Sequence, residues 1–322
     1  MTLSRRALAA AAFLLPAVAR AQGFPSRPVR IVVPFPPGGG LDALGRALAE
    51  QLSAAWGQPV VIENRPGGAT VPGTDAVAKA APDGHTLLLT ADNSITGNPN
   101  LIRNLPHDPV RDLAPVTWLL DVHQMVLVHP SVPARDMAGL VEAARAAPGR
   151  LNYGSYGTAS QPHLLFGGLA AKAGVQMTHV PYRGLTPAVV ATLANEVQMT
   201  LAGVASSRQH LDAGTLRALA VGRPTRLPQL PEVPTLAEAG HDDIDPRTWF
   251  GVLAPAGTPP AMLRAIRDTI AAAMAVPAVR DRHLTPNGYT VHVSSPEDFA
   301  AMIARDMAVK RDLIRRAGIS PD

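Results

Sequence analysis

The amino-acid sequence predicts an α/β protein built from two lobes, and three observations carry that prediction. The chain has 322 residues, a length typical of about two domains. Hydrophobic residues make up 47% of it and charged residues 17%, a composition that excludes a disordered chain. Short β-branched runs alternate with helical patterns, and the alternating units fall into two groups. Because strand–helix–strand units build parallel sheets through right-handed crossovers, each group predicts one α/β lobe.

The first group of units contains the clearest helix signal of the chain. Apolar side chains at Leu41, Leu44, Leu48 and Leu52 recur at helical spacing and predict a helix over 41–56. β-branched and apolar runs on either side predict buried strands. The predicted elements are strand 29–33, helix 41–56, strand 60–62, helix 74–81 and strand 86–90.

The second group follows after residue 124 and repeats the pattern. A helix over 136–147 is ended by Pro148 and Gly149. A proline-rich bridge at 224–234 then leads to a strand at 249–254, and two helices, 260–275 and 296–317, close the chain. The other predicted strands are 125–128, 151–153, 177–180, 197–201 and 216–221.

The first 21 residues have the pattern of an export signal. Arg5 and Arg6 are followed by an apolar run over 7–19, and small residues stand at Ala19 and Ala21. This pattern predicts a secretory signal peptide that is cleaved after Ala21. The paired arginines are also typical of the twin-arginine route, so either export route fits.

The charge of the chain excludes several function classes. The formal net charge is +4, and the signal peptide carries three arginines and no acid, which leaves +1 on the mature chain. Basic residues are scattered and aromatic residues make up only 4%, so we expect no nucleic-acid partner. The chain has no cysteine, which excludes disulfides, thiolate metal sites and a cysteine nucleophile. No histidine motif has metal-ligand spacing, and we expect neither a metal nor a cofactor.

The loop after the first predicted strand is the first candidate binding site. It carries Phe35, three prolines, Gly38, Gly39 and Asp42 before the helix begins. Glycine amides and a helix N-terminus favour an anion at the carboxyl end of a strand, although a simple tight turn would need the same glycines.

A dinucleotide-binding unit is an alternative for the same loop. Residues 38–43 satisfy G-x-G-x-x-A, and Glu63 follows about 20 residues later. This alternative implies an exported dinucleotide-dependent oxidoreductase. The prolines between the strand and the glycines disfavour it, because the fingerprint normally begins directly after the strand.

A second polar loop follows the predicted strand 151–153. It presents amides and hydroxyls before a helical run, as at an anion site, in the residues Ser155, Tyr156, Gly157, Thr158 and Ser160. A serine hydrolase at Ser155 is an alternative. The G-x-S-x-G elbow is broken because Tyr153 occupies its first position, and His163 is more typical of a helix residue than of a general base.

Arg183 is a charged residue that follows the predicted strand 177–180. It stands in the segment Pro181-Tyr182-Arg183-Gly184 and could reach a carboxylate, although a solvated surface arginine fits as well. The acids Asp242, Asp243 and Asp245 are typical of a solvated connector.

Taken together, segments along nearly the whole mature chain resemble the Bug-type periplasmic solute receptors of tripartite tricarboxylate transporters. The matches follow one another in a single order, which is more specific than any one loop. They are PVRIVVPFPPGG at 28–39 with Asp42, VIENRPGG at 61–68, APDGHTLL at 81–88, Asn98-Pro99, SYGTASQPHL at 155–164, HVPYRG at 179–184, VPTLAEAG at 233–240, WFG at 249–251 and APAGTP at 254–259.

The resemblance implies a type-II periplasmic-binding-protein fold, the two-lobed Venus-flytrap architecture with a ligand cleft between the lobes. Residues 22–124 and 246–322 would form a discontinuous first lobe, and residues 125–245 the second. It further implies a monomeric, non-enzymatic receptor in the periplasm that passes a small organic carboxylate to membrane permease subunits. A receptor that serves signalling instead of transport would have the same fold and site.

The resemblance also implies where the ligand binds. Loops 35–42 and 155–160 would face each other across the cleft, and a third loop at 90–94, with Thr90 and Asn93, would complete the site. Anion contacts are expected from the amides of Gly38 and Gly39 and from the polar residues of the second loop, with apolar walls from Phe35 and Tyr156. Asp42 and Arg183 complete the candidate set.

Two departures from the family pattern bear on the ligand. Ala159 replaces a glycine of the second loop. Ala202-Gly203-Val204 lacks the acid that can meet a ligand's amino group in many relatives. We therefore expect an uncharged or purely anionic ligand and not an amino acid.

Overall fold

The computed structural model describes residues 24–158, 160–242 and 246–320. The predicted signal peptide, Ala159, Asp243 and Asp245 lie outside these residues. Within the described ranges the strands are β1 (Val29–Val33), β2 (Val60–Asn64), β3 (Thr86–Ala91), β4 (Leu113–Val122), β5 (Met125–Val128), β6 (Asn152–Ser155), β7 (Thr178–Pro181), β8 (Met199–Ala202), β9 (Arg217–Val221), β10 (Thr248–Pro255) and β11 (Thr290–Val291).

The helices alternate with these strands along most of the chain. They are α1 (Gly40–Trp56), α2 (Val71–Ala78), α3 (Asn98–Leu101), α4 (Met137–Ala146), α5 (Gln161–Ala173), α6 (Leu185–Leu193), α7 (Val204–Asp212), α8 (Pro260–Ala275), α9 (Pro277–Val279) and α10 (Pro296–Arg316). No helix in the described part of the chain is both long and apolar enough to cross a membrane.

The first sheet has the strand order β11-β4-β10-β3-β1-β2. β1 pairs in parallel with β2 and β3, so that Ile31 stands beside Ile62 on one side and Leu87 on the other. β10 is antiparallel to both β3 and β4. Helix α1 buries Leu44, Leu48 and the other predicted apolar positions against this sheet, which confirms the predicted helix.

The second sheet has the order β7-β6-β8-β5-β9. β6 pairs in parallel with β7 and β8, whereas β5 is antiparallel to β8 and β9. The predicted parallel pairing is confirmed for β1, β2 and β3. Each sheet also contains antiparallel strands. β5 and β10 are the first strands after the chain passes from one sheet to the other, so they enter without a crossover helix.

Strand β4 was absent from the predicted elements, although it is the longest strand described. Pro115 and Asp121 stand within it and weaken the strand pattern. β4 leads through His123 and Gln124 directly into β5 of the other sheet, and the chain returns to the first sheet with β10. Helix α10 packs against β4 of the first sheet and against α5 of the second lobe, so it contacts both lobes.

Candidate functional site

A cavity between the two sheets, here called the main cavity, lies where loops of both lobes meet. It encloses about 700 Å³ of atom-free space, counting its open mouth. Its walls come from the loop after β1, the end of β3, the passage from β4 to β5, the loop after β6, the starts of α6 and α7, strand β10 and the residue before β11. The lining residues are Phe35, Pro36, Gly39, Gly40, Leu41, Ala91, Val122, Gln124, Tyr156, Leu185, Thr186, Gly203, Ala205, Ser206, Thr248, Phe250 and Tyr289.

Three helices begin at the main cavity. The residues that precede α1, α6 and α7 are Gly39, Gly184 and Gly203, and none has a side chain that caps its helix. The first amides of a helix have no acceptor within the helix, and the helix dipole favours negative charge there. The cavity is therefore suited to bind an anion through uncharged groups.

Gly184 also permits a close approach between the lobes. Its φ angle is +136°, and a Cβ atom there would lie 2.9 Å from Cδ of Pro36 in the loop after β1. Only glycine satisfies both conditions without strain. The start of α6 can therefore lie directly against the first loop.

Aromatic side chains form much of the cavity wall. Phe250 and Tyr289 meet edge to face with ring centroids 6.2 Å apart. Tyr156 accepts a 2.9 Å hydrogen bond from Nε2 of Gln124. Burial, followed by the charge of Asp92, raises the pKa of Tyr156, and burial raises the pKa of Tyr289 to about 12. Both phenols are thus neutral at physiological pH and offer a ring with one polar tip.

The polar groups of the first loop are mostly used to hold that loop together. The carboxylate of Asp42 accepts hydrogen bonds from the Gly38 amide at 2.9 Å, from Nε of Arg46 at 3.0 Å and from Nδ2 of Asn64 at 2.9 Å. Burial opposes ionisation, but these donors outweigh it and lower the pKa of Asp42. Neither Asp42 nor Gly38 lines the main cavity, whereas Phe35 and Gly39 do.

The second loop is held in the same way. Oγ of Ser155 lies 2.6 Å from Nε2 of His179 and also contacts the backbone of Gly157, and the Ser160 hydroxyl donates to the Gly157 carbonyl at 2.5 Å. The rings of His179 and His163 stack with centroids 3.9 Å apart. Burial, followed by the neighbouring His163, lowers the pKa of His179 to about 3. Ser155 and Ser160 therefore shape the loop and do not line the cavity.

The third loop contributes one residue to the main cavity, Ala91. Thr90 is buried and donates to Oγ of Ser94 at 2.7 Å. Asn93 is buried, and no described residue hydrogen-bonds its side-chain amide. Neither Thr90 nor Asn93 lines the cavity.

A second space, here called the outer cavity, adjoins the main cavity and shares Phe35 and Tyr156 with it. It encloses about 580 Å³ of atom-free space. Gly157, Thr158 and Arg183 line it. The predicted site residues are therefore divided into those of the main cavity, those of the outer cavity and those that hold the loops.

Several lining residues were not among the predicted site residues. Gln124, Thr248, Phe250 and Tyr289 reach the cavity from the passages between the lobes and from the end of the chain. Trp249-Phe250-Gly251 belongs to the family resemblance and was the one sequence signal that pointed to this region. No local sequence pattern around Tyr289 predicts that it lines a binding site.

The fold and this site define a class of protein. Two α/β lobes with an anion-compatible cavity between them are the architecture of a periplasmic-type solute-binding protein. The chain belongs to the tripartite tricarboxylate transporter receptor family, whose model matches residues 44–319. The family resemblance and the two-lobed fold predicted above are thereby confirmed.

Individual proteins agree with this assignment. The chain is 41% identical over 261 residues to the UPF0065 protein in the tcbD-tcbE intergenic region of Pseudomonas sp. strain P51, covering 81% of this chain and 77% of the relative. It is similar to the periplasmic binding protein BugD with a TM-score of 0.86 at 29% identity, over 93% of this chain and 100% of BugD. It is equally similar, with a TM-score of 0.86 and 33% identity over 93% and 100% of the two chains, to Rpa4515 of R. palustris, solved with adipate.

These findings overturn both enzyme alternatives, because the family and the structural neighbours are solute-binding proteins. The geometry agrees. Glu63 is bound by Arg30 at 3.0 Å and by Arg65, and the Gly38 amide is bound by Asp42, so the dinucleotide fingerprint has no free acid or first-glycine amide. Ser155 is fully buried and held by its neighbours, unlike a hydrolase nucleophile exposed to its substrate.

Proposed function

We propose that this chain is a receptor that captures a small carboxylated organic solute in the main cavity and delivers it to the membrane permease subunits of a tripartite tricarboxylate-type transporter. The observation that carries the proposal is the convergence of three glycine-capped helix N-termini on one cavity between two lobes. The adipate bound by Rpa4515 supports the same ligand chemistry.

In this proposal the predicted site residues have three roles. Phe35, Gly39 and Tyr156 contact the ligand. Gly157, Thr158 and Arg183 border the outer entrance to it. Five of the remaining members hold the loops in shape through hydrogen bonds, and these are Gly38, Asp42, Thr90, Ser155 and Ser160. Asn93 is buried in the third loop and does not line the cavity.

The mechanism is closure of one lobe on the other around the solute, with no bond made or broken. The lobes comprise residues 22–124 with 246–322 and residues 125–245, and the hinge lies at the two passages between the sheets. The receptor acts as a monomer, without metal or cofactor, in the periplasm. Its signal peptide is removed after Ala21, by the Sec or the twin-arginine route.

Thermal unfolding in the presence of a carboxylate panel tests the ligand class. A ligand at roughly a hundred times its Kd stabilises the folded state by about 2.7 kcal/mol through mass action. At least one carboxylate should raise the Tm, while NAD and free amino acids should not. A panel in which NAD raises the Tm and no carboxylate does would contradict the proposal.

Export has its own test. Mass spectrometry of protein from a periplasmic fraction should show a mature chain that begins at Gln22. Retention of residues 1–21 would show that the export part of the proposal is wrong.

A further inference from the structure

The outer cavity meets the main cavity on both sides of the cleft between the lobes. Phe35 of the first lobe and Tyr156 of the second line both spaces. Gly184 lines the outer cavity, and the next residue in the chain, Leu185, lines the main cavity at the start of α6. An elongated ligand in the main cavity can therefore extend into the outer cavity.

Arg183 is the one charged side chain among the described residues that line the two cavities. It is exposed, and no described residue forms an ion pair or a side-chain hydrogen bond with it. Asp42 of the first loop differs in this respect, because it is paired with Arg46. The guanidinium of Arg183 is therefore available to an anion, and no acidic side chain of the described cavity walls repels that anion.

The backbone on either side of Arg183 is held in place. The amide of Tyr182 donates to the carbonyl of Ser155 at 2.8 Å, which continues the pairing of β7 with β6. On the other side, Gly184 lies directly against Pro36 of the first lobe. A guanidinium on a fixed backbone presents its planar set of donors at lower cost in conformational entropy than one on a free loop.

Thr158 of the second loop lines the outer cavity together with Arg183. It is half-buried, and its hydroxyl has no hydrogen-bond partner among the described residues. The hydroxyls of Ser155 and Ser160, in contrast, are used within the loop. A guanidinium and a hydroxyl that line one space can both donate to a single carboxylate.

We propose that the outer cavity is a second anion subsite, in which Arg183 and Thr158 bind the far acidic group of an elongated ligand. The first carboxylate of that ligand lies at the helix N-termini of the main cavity, and its apolar middle passes between Phe35 and Tyr156. The ligand class is thus an acid with two anionic groups at the ends of an apolar chain. The proposal rests on the proposed receptor function and adds a second point of contact to it.

Three acids that share a six-carbon chain test this by titration calorimetry on the mature chain. The far end is a carboxylate in adipate, a methyl in hexanoate and an ammonium in 6-aminohexanoate. Adipate should bind about tenfold more tightly than hexanoate, and 6-aminohexanoate most weakly, because only adipate offers Arg183 an anion. If adipate binds no tighter than hexanoate, or does not bind while a shorter acid does, the subsite is overturned and the receptor function stands. Absence of binding by every carboxylate tested would overturn both.

Reversal of the charge at Arg183 shows whether this side chain is the cause. In Arg183→Glu, adipate should lose about tenfold or more in affinity and 6-aminohexanoate should gain, while hexanoate changes by less than about twofold. A side chain with only a structural role would lower all three affinities together. The preference for one far end over another would then stay as in the native chain, and the subsite would be overturned.

The matched control is Arg150→Glu in the same lobe. Arg150 is exposed, lines neither cavity and has no ion-pair partner among the described residues. The substitution makes the same change in net charge, so it reproduces any long-range effect of charge without touching the outer cavity. The three affinities should stay as in the native chain. Equal effects of Arg150→Glu and Arg183→Glu would show that Arg183 does not contact the ligand.

Discussion

Asp42 and Ser155 act alike on the two loops that border the main cavity. Each accepts the amide of a nearby glycine, Gly38 in one loop and Gly157 in the other, and each is held by a further side chain. Because their polar atoms are already bound, the loops present backbone amides and rings to the cavity instead of charged side chains. Asp42 and Ser155 thus determine which groups face the cavity, although neither residue lines it.

His179 makes the folded state sensitive to acid. Its pKa in the folded protein is about 3, below its ordinary value of 6.5, because burial and His163 disfavour its charged form. The unfolded chain therefore binds more protons between these values, and stability present above pH 6.5 is lost as the pH falls. In His179→Gln, the free energy of unfolding should lose about 2–4 kcal/mol less between pH 6.5 and pH 3 than in the native chain.

Urea unfolding at several pH values measures this difference. The acidic groups are common to both proteins, so their contribution cancels in the comparison. Parallel pH profiles for the two proteins would show that His179 does not titrate as inferred.

At the scale of elements, α10 joins structures that are far apart in the sequence. Lys310 of α10 and Asp92 after β3 are each only 1% exposed, and Gln161 of α5 contacts the same carboxylate. Trp249 of β10 donates to Asp306, which is also on α10. Helix α10 therefore contacts both lobes through a polar cluster made of Asp92, Gln161 and Lys310.

Lys310→Met tests how much the buried ion pair between Lys310 and Asp92 stabilises the folded state. The substitution leaves the Asp92 carboxylate buried without its cation, which costs about 3–5 kcal/mol of unfolding free energy. The double variant Lys310→Met, Asp92→Asn removes the charge as well and should recover a large part of that loss. Denaturant unfolding measures both, and a double variant no more stable than Lys310→Met would contradict the role given to the charge.

At the scale of the whole molecule, the site exists only where the two lobes meet. Gly184 of the second lobe approaches Pro36 of the first, and Gln161 reaches across to Asp92. Tyr156, from the loop after β6, lines both cavities together with Phe35. In the proposed mechanism, movement of one lobe relative to the other would therefore open and close the cavity.

Gly184→Ala tests the contact between the lobes. A Cβ atom would press on Pro36 and strain a backbone with φ of +136°, so closure and with it ligand affinity should fall about tenfold or more. The control is Gly174→Ala, where φ is +64° and nothing lies within 4 Å of the added Cβ, so only backbone strain is introduced. Titration with a ligand found in the thermal screen measures both. Equal losses of affinity in the two variants would show that the contact with Pro36 is not what matters.

Local patterns in the sequence predicted a substantial part of the fold. Helix α1 was predicted to within a residue of its start, because the leucine spacing records which face is buried. The predicted helix at 74–81 lies at Val71–Ala78, since Pro72 suits the first turn of a helix and moves its start forward. Strand β4 was missed because Pro115 and Asp121 are tolerated only through its pairing with β10.

The sequence by itself determined the family, the two-lobed class and the positions of the two glycine- and hydroxyl-rich loops, because these depend on motifs and on residues close together in the chain. The tertiary structure alone decided which polar groups face the cavity. Asp42 is held by Asn64 and Ser155 by His179, each more than 20 residues away, whereas Phe250 and Tyr289 are brought to the cavity from the end of the chain. A hydrogen-bond partner or a cavity wall is set by distance in space, and neighbours in the sequence do not record that distance.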